Sequence, residues 1–343
     1  MKKALAITAL FLLVAVVFSV GLPLAAPTEA APKNIKVALV LPGGLGDRSF
    51  LDSAYRGLQW AKERLPGVTV RHVECSDASE YEASVRTMAR GGYDLVITVG
   101  FGMLDATNKV ADQYPKVNFA IVDAISDRPN VANLIFKEHE GSYLVGIVAG
   151  MMTKTNIIGF VGGMDIPLIR RFQLGFEEGV KVVNPQAKVL VGYAGAFNDP
   201  GKGKELALSE YQRGADVIYH AAGKTGEGVI AAAKERNRYV IGVDSDQCYI
   251  APDNMLTSMM KMVDVSVFSA IEDVQSGGFT GGNKVYGLKE NAVGPCQLYP
   301  GILDLRDHKN FPGLDEALKK VREFRDKIVK GEIVVPDAMQ MKY

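Results

Sequence analysis

The sequence predicts an α/β protein made of two doubly wound lobes joined by a hinge, with a ligand cleft between them. Three observations carry this expectation. Short apolar runs rich in β-branched residues alternate with stretches of helical spacing from Ile35 to Val122, at about thirty residues per unit. The same alternation restarts at Ile157 and continues to Val243. The apolar runs end in glycine, aspartate or aromatic residues, and open parallel sheets hold ligands at the carboxyl ends of their strands.

The elements follow in order. Residues 35–41 (IKVALVL) form a buried parallel strand ending at Pro42-Gly43-Gly44. A helix is expected over 49–64, with Ala54, Leu58 and Ala61 on its apolar face. Residues 68–73 are a second strand and 80–90 a second helix. The strand 95–99 ends at Gly100-Phe101-Gly102 and leads into a helix over 105–113, and 118–122 is a fourth strand. Residues 131–136 read as a link, and 140–152 (EGSYLVGIVAGMM) as a helix of small residues. Strands return at 157–161, 188–193, 217–221 and 239–243, with helices between. The remainder is less regular: a strand over 255–260, a helix over 263–275, glycine breaks at Gly277-Gly278 and Gly281-Gly282, an amphipathic helix over 315–330 and a short strand over 332–335. A tail that revisits both modules puts residues 34–137 and about 261–282 in one lobe, and 138–260 and about 283–343 in the other.

With 343 residues, the chain has room for two domains. Lys plus Arg and Asp plus Glu both number 39, so the formal charge is zero and no nucleic-acid or anionic-membrane partner is expected. Residues 1–31 read as a secretory signal peptide: Lys2 and Lys3, an apolar stretch FLLVAVVF, then Ala25-Ala26 and Ala30-Ala31 as cleavage sites. The first cysteine is Cys75, so no lipid-attachment cysteine is expected, and a freely diffusing periplasmic protein follows. The spacing of Cys75, Cys248 and Cys296 fits no zinc pattern. In an exported protein two of them can pair, and Cys248 with Cys296 is the candidate pair, since both flank expected loops.

Gly43-Gly44-Leu45-Gly46-Asp47 follows the first strand and opens a helix. It reads as a ligand loop or a plain turn, since Ser49 stands where a dinucleotide fingerprint needs its third glycine. Asp47 closes this loop and joins the candidate ligand-binding residues. Gly223-Lys224-Thr225 ends like a phosphate loop, but Ile218 replaces the required glycine, leaving a turn whose Gly223 backbone faces the cleft. Phe50 and Phe197 lie in polar loops, one per module; they are either core plugs or two rings that clamp a flat heterocycle. Asp105 is a helix cap, an acceptor for the N–H groups of a base edge, or both. Asp244 and Asp246 end the last strand of the second module, where a carboxylate can accept from two neighbouring hydroxyls. Lys261, among methionines, either snorkels outward or points into a pocket. No metal site or cofactor is expected, and no Gly-x-Ser-x-Gly turn or HExxH motif suggests hydrolytic chemistry.

The blocks GDRSFLDSAYRG, VGFGMLDA, KEHEGSYLVGIVAG, IGFVGGMDIPLIRRFQLGF, FNDPGKGKELA, GADVIYHAAGKTGEGV, IGVDSDQ, LTSMMKMVD and KGEIVVPD occur in this order. Together they resemble the basic membrane protein family of ABC-transporter substrate-binding proteins, in its purine nucleoside receptor A-like group. The resemblance implies a type I periplasmic binding fold, no enzymatic activity, a monomer, and a nucleoside delivered to an ABC permease. It also implies that Phe50 and Phe197 stack on the base, Asp105 binds its edge, Asp244 and Lys261 bind the ribose hydroxyls, and Gly223 contributes backbone, with Asp246 a weaker candidate. Leu51 and Lys224 depart from the residues usual in the family beside the ligand, and Cys248 also replaces a residue of another type. Two alternatives stay open: an exported nucleoside-processing enzyme using Asp244 and Asp246, and a sensory binding protein for another heterocycle such as a flavin.

Overall fold

The computed structural model describes residues 33–300 and 308–340; the expected signal peptide lies outside them. The first half alternates β1 (Ile35–Leu41), α1 (Phe50–Arg64), β2 (Val68–Glu74), α2 (Tyr81–Arg90), β3 (Leu95–Val99), α3 (Leu104–Gln113), β4 (Asn118–Val122) and β5 (Val131–Phe136). Then come α4 (Glu138–Met152), β6 (Ile157–Gly162), α5 (Pro167–Val183), β7 (Lys188–Tyr193), α6 (Pro200–Gln212), β8 (Val217–Ala221), α7 (Gly226–Arg236), β9 (Tyr239–Asp244) and β10 (Met255–Lys261). The chain ends with α8 (Val263–Ser276), β11 (Gly282–Tyr286), β12 (Val293–Pro295) and α9 (Leu314–Val329).

The strands form two sheets, ordered β11-β5-β4-β3-β1-β2 and β12-β10-β9-β8-β6-β7. The first is wholly parallel, and in the second only β12 runs antiparallel, against β10. The strand order reverses direction at β1/β3 in one sheet and at β6/β8 in the other, and such switch points open a crevice at the strands' carboxyl ends. The continuous apolar runs have a simple cause: β3 is buried at all five positions, as a strand covered on both faces must be. Each fully buried Val, Leu or Ile contributes about 1.5–3 kcal/mol of transfer free energy. α4 is buried along nearly its whole length and packs on α5. Gly146 and Gly179 permit this contact: a Cβ at either would lie 2.3 Å from Phe176 O or 1.9 Å from Tyr143 O.

Four expectations need correction. Residues 131–136 are the strand β5, not a link. Its Asn133 looks out of place in a buried strand, but its side chain donates to Ser126 O (2.9 Å) and Asn283 Oδ1 (2.9 Å) and accepts from Ser126 N–H (3.0 Å). β11, which the glycine-rich sequence hides, pairs with β5, so the chain leaves the first sheet only after Tyr286. Residues 332–335 form no strand; the tail is anchored through Asp337, whose carboxylate receives both Nε (2.7 Å) and Nη2 (2.6 Å) of Arg171. Cys248 and Cys296 are both free thiols, their sulfurs 3.9 Å apart. Among the described residues no helix is long and apolar enough to cross a membrane.

Candidate ligand-binding cleft

A cavity of about 710 Å³ lies between the carboxyl ends of the two sheets, within the usual range for small-molecule sites. Both sheets line it: Pro42–Leu45, Gly100–Gly102 and Asp123 follow β1, β3 and β4, while Met164, Ala222–Lys224, Asp244 and Lys261 follow or end β6, β8, β9 and β10.

Its floor is a buried charge cluster. Lys261, 1% exposed, places Nζ 2.6 Å from Asp123 Oδ2 and 3.0 Å from Glu138 Oε1. Glu138, the first residue of α4, also receives Arg171 Nη1 (2.9 Å), so α4 and α5 are tied to the same network. The ammonium sits 5.0 Å from the Phe50 ring centroid and 5.5 Å from that of Phe172, distances at which the ring quadrupole attracts a cation. Burial works against the charge on Lys261, but Asp123, Glu138 and Asp244 overcome it and hold the ammonium charged well above its ordinary value.

Asp123 and Asp244 both sit at φ 64, a left-handed conformation that non-glycine residues seldom adopt and that clusters at functional sites. Asp244 Oδ2 accepts from Ser49 Oγ at 2.5 Å, joining the loop before α1 to the end of β9. Ser245 Oγ to Ser49 O (3.2 Å) and Gln247 Nε2 to Arg48 O (3.2 Å) bridge the same gap. Burial pushes the Asp244 carboxyl up to about 7, with Lys261 and Ser49 opposing the rise. Burial also raises Asp123, against the pull of Lys261. Asp123 Oδ1 is buried and has no hydrogen-bond partner among the described residues, which costs roughly 1–3 kcal/mol unless something donates to it.

The walls are aromatic. Phe50 begins α1, and Phe197 sits on the loop before α6. That loop is fastened to the turn after β8: Thr225 N–H donates to Phe197 O (3.1 Å), and Thr225 Oγ donates to Ala196 O (2.9 Å). Asp199 caps α6 by accepting from Lys202 N–H (2.9 Å), with Pro200 at the first helical position. The Phe197 ring lies so close to Gly163 that a Cβ there would be 2.4 Å from it.

Of the residues singled out from the sequence, Phe50, Phe197, Gly223, Asp244, Lys261 and Asp47 line this cavity, as do Leu51 and Lys224. Asp47 is committed to its own helix: its carboxylate accepts from the N–H groups of Ser49 (3.0 Å), Leu51 (2.9 Å) and Asp52 (3.1 Å). Asp105 is exposed in the first turn of α3 and does not reach the cavity wall. Asp246 also lies off the wall, its side chain turned to His308 Nε2 (2.7 Å) and the Cys248 N–H (3.1 Å). Sequence reasoning missed Asp123, Glu138 and Phe172. Asp123 carried a usable signal, an aspartate directly after the strand NFAIV. Glu138 and Phe172 carried none, because only the packing of α4 and α5 brings them to the floor.

Two α/β modules with a shared cleft of this kind define a small-molecule-binding fold. The model of the family described as ABC transporter substrate-binding protein PnrA-like matches residues 34–339, and the chain belongs to that family. It is 41% identical over 332 residues to the CD4+ T-cell-stimulating antigen of Listeria innocua, covering 90% of each chain. It is 37% identical over 330 residues to the ABC transporter nucleoside-binding protein BmpA of Lactococcus lactis, covering 88% of this chain and 89% of the relative. The solved structure of an ABC transporter solute-binding protein from Aeropyrum pernix superposes with a TM-score of 0.78 at 32% identity, covering 88% of this chain and 94% of the other. The fold is that of the type I periplasmic binding proteins, and the chain is an ABC transporter solute-binding protein.

Proposed function

We propose that this protein captures a nucleoside, a purine nucleoside foremost, between its two lobes in the periplasm and delivers it to an ABC permease. The observation that carries the proposal is the pairing of buried acceptors with aromatic walls: Asp123 and Lys261 pair beside the Phe50 ring, and Asp244 and Phe197 line the same cavity. Two vicinal hydroxyls would donate to the carboxylates of Asp123 and Asp244, and Lys261 would donate back to a hydroxyl oxygen. A flat base would stack between Phe50 and Phe197, each such contact contributing about 1–3 kcal/mol. The Lactococcus relative's name, a nucleoside-binding protein, supports the same ligand class. Contacts such as Ser49–Asp244 link the two sheets beside the ligand, so closure and capture would be coupled.

The test is a thermal-shift titration of protein unfolded and refolded to strip carried-over ligand, against adenosine, guanosine, inosine, cytidine, uridine, riboflavin and free bases. Stabilisation that grows with purine nucleoside concentration is the expected result. Stabilisation by riboflavin alone would transfer the site to a flavin, and a folded protein indifferent to every compound would end the nucleoside assignment.

A further inference from the structure

Behind the ligand cleft, on the far side of the Asp244–Asp246 turn, four side chains with metal-ligating chemistry converge from three separate segments. One potential ligand atom from each of Asp246, Cys248, Cys296 and His308 lies within 4.8 Å of the others. Both cysteines are buried and unbridged in this structure. Their sulfurs are 3.9 Å apart, and the Cys296 sulfur is 3.9 Å from His308 Nδ1. A tetrahedral zinc ion with ordinary Zn–S and Zn–N bonds sets its sulfurs about 3.8 Å apart and each sulfur about 3.6 Å from the nitrogen. The two spacings at the Cys296 sulfur match these within a few tenths of an ångström, and the Cys248 sulfur stays within the 4.8 Å spread of the cluster.

The surroundings fit the same ion. His308 Nε2 lies 2.7 Å from Asp246 Oδ2, and in the tautomer that donates this hydrogen bond the Nδ1 lone pair faces the Cys296 sulfur. A carboxylate holding the far nitrogen of a histidine is the usual support of a metal-bound imidazole. Ser258 N–H points at the Cys296 sulfur at 3.4 Å, the kind of donor that steadies a thiolate. Asp246 is itself fixed by the Cys248 N–H at 3.1 Å.

We infer that Cys248, Cys296 and His308 Nδ1 bind one zinc ion, with Asp246 orienting the histidine ring and the fourth position left to a water. Binding displaces one proton from each thiol to solvent, so two protons leave per ion. The ion pins the turn after β9 to the segment that follows β12 and to the start of the tail, and so braces the strand end that carries Asp244. The linear sequence conceals this site because its donors lie far apart along the chain. The inference stands on its own geometry and does not depend on the identity of the cleft ligand.

The experiment uses the full mature chain, reduced and stripped with a chelator, then titrated with cobalt(II) and back-titrated with zinc, with metal content read by elemental mass spectrometry. One equivalent of cobalt with a thiolate-to-metal absorbance band, displaced by one equivalent of zinc with release of two protons, is the expected result. Cys248→Ser and Cys296→Ser should each weaken zinc binding at least ~100-fold, and Asp246→Asn by about 10- to 100-fold at unchanged stoichiometry. Cys75→Ser, altered in the other lobe, should bind as wild type. No thiolate band from the folded, reduced wild-type chain would overturn the inference without recourse to any variant. So would a Cys248–Cys296 disulfide in protein freshly isolated from the export compartment, or loss of the band in Cys75→Ser.

Discussion

Replacing Asp244 with asparagine should strengthen the empty protein and weaken the loaded one. Asp244 is 6% exposed and faces Lys261, Asp47 and Asp123, and burial lifts its carboxyl from 3.8 to about 7. At about 1.4 kcal/mol per unit, the ionised side chain costs the folded state on the order of 4 kcal/mol. The sign follows from proton linkage. Between pH 4 and pH 7 the native state holds a proton that the unfolded chain has released, so this group's contribution to stability falls as pH rises through that window and is fully lost above it. The asparagine side chain has the shape of the neutral acid, and its carbonyl can still accept from Ser49 Oγ. Urea unfolding of ligand-free wild type and Asp244→Asn should therefore coincide near pH 4 and diverge to pH 8, where the variant is the more stable by up to about 4 kcal/mol. Because other carboxylates titrate in both proteins, the difference between the two curves is the quantity to read. The same substitution replaces an anionic acceptor by a neutral one and should weaken nucleoside binding by about 10- to 100-fold, since hydrogen bonds to charged groups contribute about 1.5–3 kcal/mol. A stability difference that does not change with pH would refute the reasoning about Asp244.

Three further outcomes follow from the same cluster and its surroundings. Lys261→Met leaves Asp123 buried without its cation and Glu138 with Arg171 alone, so equilibrium unfolding at neutral pH should show a loss of about 3–5 kcal/mol. Phe197→Ala, at a half-buried loop position, should change the unfolding midpoint little while costing about 1–3 kcal/mol of nucleoside affinity by calorimetry. Asp337→Ala removes both carboxylate contacts from Arg171, and limited proteolysis should then clip the C-terminal segment at protease levels the wild type resists.

The alternating modules were legible because buried parallel strands leave short apolar runs set between turn residues, as in IKVALVL, LVITV and NFAIV. β5 was hidden by Asn133, a polar residue in a buried strand, which is tolerated only because Ser126 and Asn283 satisfy its amide. β11 was hidden by its glycines and its place at a sheet edge, where partial exposure removes the apolar signal. The cleft shows the same division. Phe50, Phe197, Asp244 and Lys261 announced themselves by standing at strand or loop ends with unusual neighbours. For Lys261 the sequence left two orientations open, and the buried carboxylates of Asp123 and Glu138 decide for the inward one. Asp105 and Asp246 carried equally good local signals and lie off the wall, because what faces a cleft depends on where each strand end aims and not on the residue alone.

The most direct test of the central claim compares a purine nucleoside with its 2′,3′-dideoxy counterpart by isothermal titration of the ligand-stripped protein. If Asp123, Asp244 and Lys261 read the ribose hydroxyls, the nucleoside binds one to one and the dideoxy compound binds at least ~100-fold more weakly, because a site built around hydroxyls leaves its buried polar groups unpaired when they are missing. Equal affinity for the two would contradict the account, leaving the charge cluster beneath the cleft a structural feature with no part in recognition.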